Sequence, residues 1–145
     1  MPAFREPTPV EKLFNRAFGF LIGLGLGLPH NFLLQVRGRK TGRILSTPVN
    51  VLDFRGKRFL VAPRGRTQWV RNAETAGEVT LKRGGARLKF RLRSIPESER
   101  PGILKEYLDR FTPTVQRYFS VRAGSPLEEF ISFAGNYPVF ELQPM

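Results

Sequence analysis

The sequence predicts an α+β fold: about six mostly antiparallel strands in a sheet or small barrel, with helices at both ends and between strands. Three observations predict it. From Phe32 the apolar residues recur at every second position, the period of a half-buried strand. Glycine-bearing turns join these runs into consecutive hairpins with no βαβ rhythm. Segments of helical period, opened by threonine or proline, precede, interrupt and follow the strands.

Thr8-Pro9-Val10-Glu11 opens the first helix, with a capping threonine, a first-turn proline and a glutamate that can reach back. Val10, Leu13, Phe14, Ala17, Phe18 and Leu21 make its apolar stripe. Phe18 to Leu28 is continuously apolar and glycine-rich, and too short to span a bilayer. Docking on the core is the preferred reading of this run, with contact to a membrane surface as the alternative. Phe32–Val36 and Leu45–Leu52 read as strands, and Arg58–Ala62 follows a turn at Asp53–Lys57 in which Gly56 takes positive φ. Thr67 stands where it can cap a short helix over Gln68–Ala76 that Gly77 ends. Glu78–Arg83 and Arg87–Ser94 form a hairpin through Gly84-Gly85, with Leu81, Leu88, Phe90 and Leu92 on its apolar face. Pro101–Phe111 presents Ile103, Leu104, Tyr107, Leu108 and Phe111 to one side. Thr112-Pro113 starts a short helix carrying Val115, Tyr118 and Phe119. The capping-box pattern Ser125-Pro126-Leu127-Glu128 opens a segment with Phe130, Ile131 and Phe133. Val139–Leu142 closes the sheet.

At 145 residues, 41% hydrophobic and with 13 phenylalanines, the chain is expected to form a single domain over 1–145 with a real core. Within it, 1–29 is an N-terminal helix and apolar segment and 30–145 the sheet plus helices. With no cysteine, disulfides, Fe–S clusters, thiol nucleophiles and thiolate zinc sites are excluded; with His30 alone, so is a multi-histidine metal site. No cleavable signal is legible, which favours the cytoplasm, or the inner face of the membrane if the apolar run binds there. The net charge of +12 calls for an anionic partner. Ten cations between Asn31 and Ala73 face only Asp53.

Those cations centre on Val36-Arg37-Gly38-Arg39-Lys40-Thr41-Gly42-Arg43, where glycines allow amides and basic side chains to converge on one anion. With Thr47-Pro48, Ala62-Pro63-Arg64 and Trp69-Val70-Arg71-Asn72 in series, the region Phe32–Ser94 resembles the deazaflavin (coenzyme F-420)-dependent nitroreductase and quinone reductase family. The resemblance implies a split β-barrel and a polyanionic cofactor carrying a phosphate and a glutamate tail, matching the basic segment. By it, Arg39 and Lys40 look like tail- or phosphate-contacting cations, completed by Thr41 and Gly42. Thr47 and Pro48 resemble the strand lying along the cofactor, Ala62, Pro63 and Arg64 the phosphate side, and Trp69 a contact or a core anchor. The chain departs from the family in having Ile44-Leu45 where Pro-Arg is common, with Arg43 as the neighbouring cation. It also has a shorter loop between Ala62 and Trp69, and Asn50 where some members carry tyrosine.

The implied activity is hydride transfer from reduced coenzyme F-420 to an apolar, electron-poor acceptor such as a quinone, enone or nitroaromatic. The cofactor performs the chemistry and the protein positions it. Tyr107 and Tyr118 are the available phenols, with a core role the simpler reading for both. The alternative is a non-catalytic carrier of lipid or fatty acid in the same fold, or a barrel holding flavin mononucleotide or haem. Nucleic-acid binding ranks below these, because no helix-turn-helix, zinc-finger or RNP-type pattern accompanies the charge. Sheet edges and an exposed apolar helix make a homodimer a reasonable assembly.

Overall fold

The computed structural model describes residues 30–145. The helix expected from Thr8 and the apolar run Phe18–Leu28 lie outside the described residues. Six strands, β1 (Asn31–Arg37), β2 (Ile44–Phe54), β3 (Lys57–Val61), β4 (Glu78–Arg83), β5 (Ala86–Ser94) and β6 (Val139–Pro144), close into a barrel in the order β1-β2-β3-β6-β5-β4. Every paired neighbour runs antiparallel. The helices are α1 (Gln68–Ala76), between β3 and β4, and α2 (Arg100–Arg110) and α3 (Thr112–Val115), between β5 and β6. No described helix is long and apolar enough to cross a membrane.

Strand alternation sorts the apolar residues into two cores. Leu34, Val36, Val51, Leu60, Leu81, Phe90, Phe140 and Leu142 fill the barrel, and α1 adds Val70 and Ala73 to them. Leu52, Phe59 and Val139 point the other way and meet Leu104, Tyr107, Leu108 and Phe111 of the C-terminal helices. β2 therefore contributes to both cores from adjacent residues, Val51 and Leu52. Glu141, also outward, is 8% exposed and ion-paired to Arg93 (2.8 Å) and Lys57 (3.8 Å).

The β2–β3 hairpin needs positive φ at both turn residues, and Arg55 (φ 54°) as well as Gly56 (φ 76°) adopts it. Gly77 ends α1 in the left-handed conformation, its N–H bonded to the Ala73 carbonyl as expected. Thr67 occupies the N-cap of α1 in extended geometry, but its side chain makes no capping bond. The expected capping box at Ser125 is corrected as well: Pro126 takes the cap position of a 3-10 turn, Leu127–Phe130, with no side-chain cap. Prolines 113, 126 and 138 with Gly124 and Gly135 break this stretch into short turns, so the C-terminal region is less helical than its periodicity suggests. Phe130 is buried there while Ile131 is exposed, and Leu88, though in phase with the barrel core, is exposed too.

Candidate functional site

β2 pairs with β1 along Ile44–Asn50, but with β3 only from Val51 onward. The N-terminal half of β2 thus has one edge with no partner strand among the described residues. The Val51 N–H donates to the His30 carbonyl (2.8 Å), so alternation turns the amides of Val49, Thr47 and Leu45 toward β1. Ile44, Ser46 and Pro48 then face the open edge. Proline is tolerated there because the N–H it lacks would have met no strand.

At one end of this edge stands the loop 38–43. The Gly38 N–H donates to the Arg43 carbonyl (2.7 Å) and the Gly42 N–H to the Gly38 carbonyl (2.9 Å). The Arg43 N–H donates to Thr41 Oγ1 (3.2 Å), and Arg37 Nη1 to the Gly42 carbonyl (2.9 Å). Gly42 takes φ 77°, and a Cβ on buried Gly38 would crowd the Arg43 carbonyl at 3.2 Å. The loop is therefore closed on itself. Its Lys40 and Thr41 amides make no hydrogen bond among the described residues, and neither do the exposed side chains of Lys40 and Arg43.

Arg39 is held differently. Its N–H (3.1 Å) and Nη1 (2.8 Å) both donate to Asn72 Oδ1, and Nη2 donates to Gln68 Oε1 (3.0 Å). The guanidinium expected to face an anion is thus drawn onto α1.

At the other end of the edge, Asn31 and Asn50 form an outward cross-strand pair, with Asn31 Nδ2 donating to Asn50 Oδ1 (2.8 Å). The Asn50 side chain also hydrogen-bonds the phenol of Tyr107, which is 2% exposed. Burial pushes the Tyr107 phenol well above its ordinary range; the Asn50 bond opposes the rise and the nearby Tyr118 adds to it. Tyr118 is half-buried, with the guanidiniums of Arg117 (4.8 Å) and Arg64 (5.5 Å) over its ring. Arg117 Nη2 donates to Tyr118 Oη (2.7 Å), and Tyr137 Oη donates to the Tyr118 carbonyl (2.5 Å). Burial raises the Tyr137 phenol as well.

The structure divides the sequence-predicted residues between these poles. Arg39, Lys40, Thr41, Gly42 and Arg43 form the first; Tyr107, Tyr118 and Arg64 the second; Pro48 lies on the edge between. Thr47 pairs with Leu34 and points toward the barrel. Ala62 is buried in the barrel core, Pro63 is half-buried beside it, and Trp69 packs against that core with Phe140 at 6.2 Å. Gln68, Arg117 and Asn31 carry no site signal in the sequence, Asn50 stands out only where some family members carry tyrosine, and Asn72 only within the Trp69–Asn72 series. An asparagine in a helix interior, where its propensity is poor, was the available signal for Asn72. Among the described residues no group of acids and histidines could hold a metal ion.

No curated protein sequence matches the chain. Solved structures share its fold at low identity. One is an F420-H2 dependent reductase (FDR-A), at 20% identity and TM-score 0.53, covering 79% of this chain and 95% of its own. Another is a domain-swapped dimer at 18% and 0.56, covering 92% and 93%. A third is HutZ, the haem storage protein of Vibrio cholerae, at 14% and 0.53, covering 80% and 82%. At these identities the likeness shows the fold alone. Residues 10–123 match the model of the F420H(2)-dependent quinone reductases, and the chain belongs to this family of oxidoreductases.

Proposed function

We propose that the open β2 edge is the cofactor cleft, and that the protein reduces an apolar quinone-type acceptor with hydride from reduced coenzyme F-420. The observation that carries this reading is the placement of an anion loop and a pair of phenols at opposite ends of one unpaired strand edge. Six residue steps along β2 separate Ile44 from Asn50, about 20 Å at ~3.3 Å per residue. That suits a ring system at the phenol end with its phosphate and glutamate tail at the loop.

The residues present fit such a group. Lys40 and Arg43 side chains and the Lys40 and Thr41 amides would take the anionic tail, and the amides facing the open edge would meet the polar rim of the ring. When bound, the cofactor supplies the hydride; the protein supplies position and a proton. Tyr107 is too buried to reach an acceptor, and its raised pKa keeps it a fixed hydrogen-bond donor or acceptor to Asn50. Tyr118 suits the proton step better. Arg117 donates to its oxygen, leaving the phenolic proton to pass to the oxyanion formed when a quinone carbonyl accepts hydride. Reprotonation of Tyr118 from water completes the balance: one hydride and one proton convert quinone to hydroquinone. Nitroaromatics and enones are further electron-poor acceptors for the same site.

Titration of the purified protein with oxidised coenzyme F-420 at low and high salt tests the cleft, and oxidation of the reduced form by a soluble naphthoquinone tests the reaction. Micromolar binding weakened by salt, with quinone-dependent turnover, is the expected result. No binding by folded protein would overturn the reading, and a Soret band or co-purified lipid would replace it with a haem or apolar-ligand carrier.

A further inference from the structure

We propose that Asn72 is the positioning residue of the anion loop and that Arg39 acts as its strut, not as a cation presented to the ligand. The inference rests on the cofactor cleft above and assigns the division of labour within it. Asn72 is 3% exposed, and its Oδ1 accepts both the Arg39 backbone N–H and the Arg39 guanidinium. Gln68, one turn earlier on the same face of α1, takes the other tip of that guanidinium. A planar fork anchored at both tips and at its own backbone fixes the chain at residue 39.

The other hydrogen bonds of the loop are internal, donated by Gly38 to Arg43, Gly42 to Gly38, Arg37 to Gly42 and Arg43 to Thr41. They define its shape without fixing it to the barrel's contents. The Arg39–Asn72–Gln68 lock is what joins it to α1, whose Val70 and Ala73 are embedded in the barrel core. The two residues after the lock, Lys40 and Thr41, are the ones whose amides make no bond among the described residues. The lock therefore determines where those amides and the Lys40 and Arg43 side chains point. An asparagine is suited to this because its carbonyl accepts two donors without adding charge beside an anion site.

The two roles for Arg39 separate by experiment. A direct charge contact tolerates Arg39→Lys and weakens with salt; a strut does not tolerate lysine, which lacks the fork, and its loss leaves the salt dependence of the remaining cations intact. Affinity for oxidised coenzyme F-420 is measured against ionic strength for wild type, Asn72→Ala, Asn72→Asp, Gln68→Ala, Arg39→Lys and Lys40→Ala, with thermal melts as folding controls. We expect Asn72→Ala and Arg39→Lys each to weaken binding about tenfold with the wild-type salt slope, as for a lost paired hydrogen bond. Gln68→Ala should weaken it about threefold, Asn72→Asp should keep the lock, since its carboxylate accepts the same bonds, but weaken binding most at low salt, where its added charge repels the anion, and Lys40→Ala should flatten the salt slope. Should Asn72→Ala fail to fold, Arg39→Lys still decides. Wild-type affinity in folded Asn72→Ala, or in Arg39→Lys, would overturn the strut. Failure of wild type to bind would instead remove the cleft, and the strut's purpose with it.

Discussion

At the scale of single residues, the two phenols that look alike in the sequence have separate fates. Tyr107 and Tyr118 both sit among apolar neighbours in a C-terminal segment. Burial makes Tyr107 a structural partner of Asn50, whereas Tyr118 is only half-buried and has Arg117 on its oxygen. Tyr118→Phe should therefore lower quinone turnover about a hundredfold, the lower end of a general-acid contribution, with cofactor affinity unchanged. Stopped-flow or steady-state rates alongside the titration would check it. Tyr107→Phe should lower stability by about 1–2 kcal/mol, since Asn50 loses a buried partner. Denaturant midpoints at constant slope would measure the loss.

At the scale of elements, two strained or charged joints carry testable consequences. The β2–β3 turn places Arg55 at φ 54°, where a side chain with a full Cβ is costly. Arg55→Asn should stabilise the hairpin by about 0.5–1 kcal/mol, because asparagine tolerates that region. Chemical denaturation would show it, and no gain would mean that the Arg55 guanidinium over Phe54 (4.7 Å) compensates. Asp109 joins α2 to the turn at Gly124. Burial pushes its carboxyl up, but the Gly124 N–H (2.8 Å) and the Lys105 ammonium (2.9 Å) outweigh it and hold the group below its ordinary value of 3.8. A depressed folded pKa stabilises the protein above 3.8 and loses that contribution as pH falls through the folded value. Asp109→Asn should melt lower than wild type at pH 7, and the gap should close in strong acid. Thermal melts across that range would test it.

At the scale of the whole molecule, +12 net charge sets salt against itself. Screening relieves self-repulsion of the folded chain, so its melting temperature should rise between low and physiological salt. The same screening should weaken capture of the anionic cofactor. The two trends are expected to run in opposite directions in one buffer series, and parallel trends would mean that the tail is not held by charge. Barrel closure belongs to this scale too. β1 and β4 meet over only Leu33–Lys82, Leu34–Leu81 and Gln35–Thr80, so this seam holds through buried Leu34 and Leu81 more than through ladder length.

The strands, their hairpins and the glycine-flanked basic loop are legible in the sequence alone, because period-two apolar residues and glycine turns are local facts that survive without context. It also carried the family, through short motifs in a fixed order. The tertiary structure decided what those local patterns are for. It broke the C-terminal region into 3-10 turns where proline and glycine overrode apolar periodicity, as at Ser125-Pro126. It sent Val51 and Leu52, adjacent in sequence, into different cores. It drew Arg39 onto Asn72 and Gln68, residues 33 and 29 positions away. A sequence shows that a cation is present, but only packing brings it the partner that decides whether its charge is spent within the protein or offered to a ligand.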